Sequence, residues 1–195
     1  MKLRGLYAIT PQASDLERKL RLALEGGIAL LQYRSKSRDR AQAAGIVRMA
    51  RDYGVPVIVN DDVDLALELD AAGAHLGRDD GDLRSARRRL AGRILGASCY
   101  NELERARAAV QAGADYIAFG AVFASPTKPE AVRSPLKLFR DARPLGVPLA
   151  AIGGITLENA PQLIAAGADL LAVISDLFDA ADIRARARAY GKLFA

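Results

Sequence analysis

Short apolar runs of strand length recur along this chain, and between them the apolar residues fall at helical spacing. Residues 6–10 predict a first strand. Leu16, Leu20, Ala23 and Leu24 then share one face of a helix, opened by a capping-box signature in Ser14 and Glu17. Residues 30–34 predict the second strand, and Ile46, Met49, Ala50 and Tyr53 the inner stripe of the helix after it. Strands at 57–60, 74–76 and 94–98 follow, with Asn101 and Glu104 capping the helix behind the last. Residues 116–119, 149–152 and 170–174 complete the set, and an Ala/Arg-rich helix over 181–193 closes the chain.

Eight strand candidates alternating with helices predict α/β architecture: one compact (β/α)8 TIM barrel filling 1–195, with a doubly wound open sheet as the alternative. A weak repeat argues for closure. Residues 25–30, 71–76, 112–117 and 166–171 resemble one another, and each is expected to place a glycine at a helix C-terminus just before a strand. The longest irregular stretch, 124–134, predicts a mobile loop over the site.

Polar chemistry collects where these strands end, which is where a parallel barrel gathers its active site. Gln32, Arg34 and Lys36 are spaced by two, so on a strand they share one face. Buried charge needs a partner, and a polyanion such as pyrophosphate would supply it. Asn60-Asp61 and Asp80 follow the third and fourth strands, which are neighbours in a barrel. Two carboxylates there suit Mg²⁺, which takes one or two of them plus substrate phosphates; Asp79 competes with Asp80 for the role. Ser125, Thr127 and Lys128 add two hydroxyls and a cation in the irregular loop. Gly153-Gly154 after the seventh strand and Ile174-Ser175 after the eighth occupy the fold's usual phosphate position. His75 lies within an apolar run and reads as a satisfied core or rim histidine, and Cys99 as a small buried hydrophobe.

Composition narrows the class further. With 51% hydrophobic and 26% charged residues the chain is ordinary for a globular domain. No apolar stretch is long enough to span a membrane, and the first residues lead into a strand with no signal-peptide core. A lone cysteine excludes an internal disulfide, so a cytoplasmic setting without membrane partners is expected. The net charge of +5 includes a cluster at Arg84 and Arg87-Arg88-Arg89. That cluster is helical and lacks interleaved aromatics, so the field is expected to serve phosphorylated small molecules, not nucleic acid. Self-association as a homo-oligomer is left open.

Together these residues resemble the thiamine-phosphate synthase family over nearly the whole chain. The likeness runs through Gln32-x-Arg34-x-Lys36, Val59-Asn60-Asp61, His75-Leu76-Gly77-x-x-Asp80 and Gly96-Ala97-Ser98. It continues through Gly113-Ala114-Asp115-Tyr116, Thr127-Lys128, Ala151-Ile152-Gly153-Gly154-Ile155 and Val173-Ile174-Ser175. The resemblance implies a TIM barrel that joins a hydroxymethyl-aminopyrimidine pyrophosphate to a thiazole phosphate with Mg²⁺, giving thiamine phosphate and pyrophosphate. It implies roles as well. Gln32 would contact the pyrimidine; Arg34, Lys36, Asn60 and Lys128 would hold the pyrophosphate; Asp61 and Asp80 would ligate Mg²⁺. Ser98 would sit beside the reacting centre, with Arg34 and Lys128 completing the catalytic set. Ser125, Thr127, Gly153, Gly154, Ile174 and Ser175 would receive the thiazole phosphate.

The sequence departs from the family pattern in places. Ser125 stands where threonine is commoner, Asp62 follows Asn60-Asp61 where other residues are frequent, and Ala72 replaces a frequent aspartate. Pro11 replaces a polar residue, and Ser134-Pro135 replaces a stretch that often carries glycine. Two rival readings share the barrel: a thiazole tautomerase, which tends to lack the complete Gln-x-Arg-x-Lys motif and the second aspartate, and a non-catalytic phosphate-ligand sensor.

Overall fold

In the computed structural model, which describes residues 3–35, 37, 39–124 and 133–195, eight parallel strands pair in chain order and close on themselves. They are β1 (Gly5–Ile9), β2 (Leu30–Tyr33), β3 (Val57–Asn60), β4 (Gly73–Leu76), β5 (Ile94–Tyr100), β6 (Tyr116–Phe119), β7 (Leu149–Ile152) and β8 (Leu170–Val173). The pairing of Gly5 with Leu170 through Ala8 with Val173 closes the ring and disposes of the open sheet.

Helices clothe the outside: α1 (Leu16–Gly26), α2 (Arg40–Asp52), α3 (Val63–Glu68), α4 (Leu83–Arg89) and α5 (Leu103–Gln111). They continue as α6 (Lys137–Ala142), α7 (Ala160–Ala166), the one-turn α8 (Ser175–Phe178) and α9 (Ile183–Lys192). None is long and apolar enough to cross a membrane, among the described residues.

Alternation along each strand divides the core in two. On β1, Leu6 and Ala8 face the helices, while Tyr7 and Ile9 face the lumen with Leu30, Ile58, Tyr116 and Leu170. The lumen is packed, not hollow, as small barrels are.

Several local expectations fail for identifiable reasons. Ser14 and Asn101 do not cap their helices; Asp15 and Glu102 stand at those positions, neither making a side-chain cap bond. Asp15 is instead engaged by Arg18. The working caps are aspartates that accept a backbone N–H three residues on: Asp39, Asp62, Asp82 and Asp182. Asp62, the unusual residue after Asn60-Asp61, thus starts α3. The inner stripe of α2 is Ala43, Ile46, Val47 and Ala50; Tyr53 lies past the helix end and is 39% exposed.

The repeat is real but its register differs in one copy. Gly27, Gly113 and Gly167 each take positive φ before a strand. Gly73 does not; it lies within β4, where a Cβ would sit 1.8 Å from the Ile94 carbonyl oxygen. Its place in the repeat is taken by Asp70 at φ 51. The alignment follows from one shared bond: the N–H two residues later, at Ala29, Ala72, Asp115 and Asp169, donates to Leu6, Val57, Leu95 and Leu149 respectively.

Two copies carry a clamp on the barrel floor. The Asp115 carboxylate accepts the Leu95 N–H at 2.7 Å and an Arg87 guanidinium N–H at 2.8 Å. Asp169 does the same with Leu149 at 3.0 Å and Arg143 at 2.6 Å. At Ala72 the carboxylate is missing, and Arg93 bridges the Ala71 carbonyl and the Asp70 carboxylate instead. Because the Asp169 side chain is 10% exposed and that of Asp115 is 46%, the two clamps are unequal. Asp169→Ala should cost about 1–3 kcal/mol, the scale of losing hydrogen bonds to a charged group, and Asp115→Ala less. Urea midpoints decide it: an equal or larger loss at Asp115 would show that burial does not set the clamp's worth.

Candidate active site

Within the lumen a line of polar side chains runs from strand to strand. Gly96 on β5 makes room for it, since a Cβ there would lie 2.2 Å from the Tyr116 ring. Gln32 on β2 donates its amide N–H to the Tyr7 hydroxyl at 2.6 Å. The Tyr7 and Tyr116 hydroxyls are 2.7 Å apart. His75 on β4 then bonds Tyr116 through Nδ1 and Ser98 through Nε2, both at 2.8 Å. The Tyr7 and Tyr116 rings meet edge to face at 5.8 Å, and His75 stacks on Tyr116 at 5.5 Å. Burial pushes both phenols well above the usual tyrosine range and holds the His75 imidazolium down at about 4, with the Asp80 charge opposing it. These groups are therefore neutral at neutral pH.

At the rim above this line the charges begin. Gln32 and Arg34 do not share a strand face as expected, because the β2 ladder ends at Tyr33. Gln32 is buried in the lumen, while Arg34 is exposed. The Arg34 N–H donates to the Thr10 hydroxyl at 2.8 Å, and that hydroxyl donates to the Arg34 carbonyl at 2.9 Å. The backbone is pinned while the guanidinium is left to the rim. Lys36 lies outside the described residues.

Asn60 ends β3 and donates to the Asp61 carboxylate at 2.5 Å. Asp61 takes φ 63, and its N–H donates to the His75 carbonyl at 2.8 Å. The Asp80 carboxylate, oriented by the Gly77 N–H at 2.8 Å, comes within hydrogen-bond reach of Asp61. Asp80, and not its neighbour Asp79, is thus the carboxylate this turn brings to Asp61. Asp61 is exposed by area, yet crowding by protein, then the contact and charge of Asp80, push its carboxyl up to about 6. Arg34 and Asn60 pull the other way. Two acids held face to face under partial compensation would gain from a shared cation. No group of three or more His, Cys, Asp or Glu side chains forms a metal cluster among the described residues. That donor set fits Mg²⁺ completed by phosphate oxygens better than an all-protein cage.

On the far arc, Gly153 and Gly154 follow β7 at φ 106 and 61. A Cβ on Gly154 would lie 2.2 Å from the Ala124 carbonyl oxygen, so glycine is what lets the segment after β6 lie against the end of β7. Val122 and Phe123 donate across that contact to Ile152 and Gly153, and Ser134 donates back to Ala121. The loop between falls outside the described residues, and with it Ser125, Thr127 and Lys128. β8 passes through Ile174 directly into α8 at Ser175. A short extra helix after the eighth strand is where barrels of this kind often take phosphate.

Tyr7 and Tyr116 were not legible as site residues, because each sits within an apolar strand run; Gly96 opposite Tyr116 was the available clue. Tyr100 is a further aromatic at the strand ends, with no role assigned to it by the sequence. It ends β5 at φ 54, 38% exposed, with the Arg78 and Arg105 guanidinium groups 5.0 and 5.6 Å from its ring centre.

A family model, curated relatives and a solved structure carry the same family description. Residues 6–177 match a family model described as thiamine monophosphate synthase. A thiamine-phosphate synthase of Aromatoleum aromaticum is 62% identical over 99% of this chain and 97% of its own length. One from Methylobacillus flagellatus is 52% identical over 98% and 96%. The solved thiamine phosphate pyrophosphorylase of Pyrococcus furiosus superposes with a TM-score of 0.85 at 32% identity, covering 98% of this chain and 96% of that one.

The coupling of the rim acids is directly measurable. In protein free of divalent cations, Asp80→Asn removes the charge and puts an amide that can donate where a second carboxyl stood, so Asp61 should ionise at a lower pH than about 6. Carboxyl NMR titration reads this, and an unmoved Asp61 would leave crowding alone as the cause.

Proposed function

The chain belongs to the thiamine monophosphate synthase family, and on that premise we propose that it joins a hydroxymethyl-aminopyrimidine pyrophosphate to a thiazole phosphate at the mouth of its barrel. One catalytic domain, 1–195, carries the reaction. The facing Asp61–Asp80 pair with Arg34 beside it, set directly over the Gln32–Ser98 line, is the observation that supports this most. The tautomerase and the sensor are not favoured, given relatives named for the synthase along nearly the full chain.

In this reading Gln32 engages the pyrimidine from the lumen wall. Arg34, Lys36, Asn60 and Lys128 hold the pyrophosphate. Mg²⁺, held by Asp61 and Asp80, would supply positive charge against the departing pyrophosphate. The bond from the pyrimidine's methylene carbon to the pyrophosphate oxygen breaks, and its electron pair leaves with the pyrophosphate. The aminopyrimidine ring is electron-rich enough to carry the resulting cation. The thiazole ring nitrogen then donates its lone pair to that carbon, forming the new C–N bond. Positioning and preorganised charge are what this step needs, and the site offers them without a strong base. Ser98 and Lys128 would flank the carbon. Ser125, Thr127, Gly153, Gly154, Ile174 and Ser175 would hold the thiazole phosphate on the opposite arc.

Incubation of both substrates with Mg²⁺ should release thiamine phosphate and pyrophosphate in equal amounts, and absence of both products would defeat the proposal. Asp61→Ala and Asp80→Ala should each remove most activity in protein that remains folded by circular dichroism. Arg34→Ala should cost about 2–4 kcal/mol of transition-state stabilisation, and Arg34→Lys should not restore it, because a bidentate fork differs from a point charge.

Bond breaking ahead of bond making has its own signature. A pyrimidine substrate whose ring methyl is fluorinated should bind with a similar KM but turn over far more slowly, since electron withdrawal destabilises the cation. Equal turnover would point to concerted displacement.

A further inference from the structure

The buried line from Gln32 to Ser98 has a direction, and the direction sets what Ser98 can do. An amide nitrogen only donates, so the Gln32 Nε2–H must donate to the Tyr7 oxygen. Tyr7 then has one hydrogen to give, and its partner at 2.7 Å is the Tyr116 hydroxyl. Tyr116 in turn gives its hydrogen to His75 Nδ1 at 2.8 Å. A nitrogen that accepts carries no proton, so the imidazole is neutral with its proton on Nε2. That proton goes to the Ser98 oxygen at 2.8 Å. The Ser98 hydrogen is thereby excluded from the His75 contact and left to point elsewhere.

We propose that Tyr7, Tyr116 and His75 are positioning residues that orient Ser98 as a hydrogen-bond donor toward an acceptor atom of the pyrimidine pyrophosphate. This rests on the synthase reading for the identity of the substrate, though not for the direction of the line. The same atoms allow one opposite arrangement. If Gln32 turned its amide oxygen to Tyr7, every bond would reverse, His75 would carry its proton on Nδ1, and Ser98 would spend its hydrogen on His75. The end of Gln32 that faces inward and the hydrogen that Ser98 offers outward are thus one choice made at both ends of the site. Tyr7 and Tyr116 are each 1% exposed or less and His75 is 7% exposed, so water does not compete for these bonds and the choice at Gln32 is passed along the line to Ser98.

His75 is the only histidine in the chain, so ¹⁵N-histidine labelling gives two unambiguous ring signals. In the wild-type protein Nδ1 should be of the unprotonated, acceptor type and Nε2 of the protonated type at neutral pH. An Nδ1–H tautomer, or two averaged signals, would overturn the proposal. Kinetics tests the consequence. Tyr116→Phe keeps the ring and removes the one hydroxyl that links the two halves. It should lower kcat/KM for the pyrimidine pyrophosphate about tenfold, leave KM for thiazole phosphate unchanged, and let the His75 signals average. In a Ser98→Ala background the same change should cost nothing more, because its effect runs through the serine. Losses that multiply in the double variant would overturn the proposal, as would an equal rise in both KM values. If Tyr116→Phe fails to fold, the wild-type tautomer still decides. A wild-type protein that makes no thiamine phosphate would remove the synthase reading while leaving the tautomer measurement valid.

Discussion

A polar group taken out of water must find a partner inside, and this constraint organises the centre of the barrel. Gln32, Tyr7, Tyr116, His75 and Ser98 come from β2, β1, β6, β4 and β5, so their bonds cross the lumen as well as joining neighbours. Each hydroxyl or ring nitrogen answers the one before it. Removing an interior member would leave two groups unsatisfied, which gives the line its rigidity. Gly96 is part of the same solution, because the Tyr116 phenol occupies the space a side chain on β5 would take. The barrel thereby acquires a fixed polar floor directly beneath its mouth.

Above that floor the opposite principle operates. Asp61 and Asp80 are held close by elements that leave them little choice: a left-handed residue whose N–H is bonded to the His75 carbonyl, and a turn closed by the Gly77 N–H. The protein tolerates the repulsion, which adds to crowding by the surrounding protein in pushing the Asp61 carboxyl up. Such strain is characteristic of sites that await a charge partner. The His75 residue belongs to both layers, its ring to the floor and its carbonyl to the rim.

What could be read from the sequence divides along physical lines. The strands at 57–60, 116–119 and 149–152 were read to the residue, because buried parallel strands are continuous apolar runs, ended here by Asn60-Asp61, Gly120 and Gly153. The rim aspartates and glycines were readable for the same reason. Ser14 and Asn101 misled because a capping signature is short and local, and the helices begin one residue later than it implies, after Asp15 and Glu102. Gly73 misled because glycine serves two needs: positive φ at a helix end, and close approach of backbones within a sheet. Only the hydrogen bond from Ala72 to Val57 shows which applied, with Asp70 taking the helix-end position. Tyr7 and Tyr116 were invisible as polar residues because their rings satisfy the apolar pattern while their hydroxyls satisfy each other.

The two arcs of the mouth are built from different materials, and that difference bears on how each selects its anion. On the β2–β4 side the groups are side chains: a guanidinium, an amide and two carboxylates, adjustable in rotamer and tuned by one another's charge. Such a set suits a polyanion that arrives intact and departs as a separate species, since its grip changes with the charge present. On the β7–β8 side, among the described residues, the geometry is set by the backbone, through Gly153 and Gly154 against the segment after β6 and the direct passage of β8 into α8. Backbone donors adjust less than side chains do, which suits the proposed role of this arc in holding a group that stays attached throughout. The division suits the proposed reaction, in which one anion leaves and the other only anchors, with the lumen line lying between the two arcs.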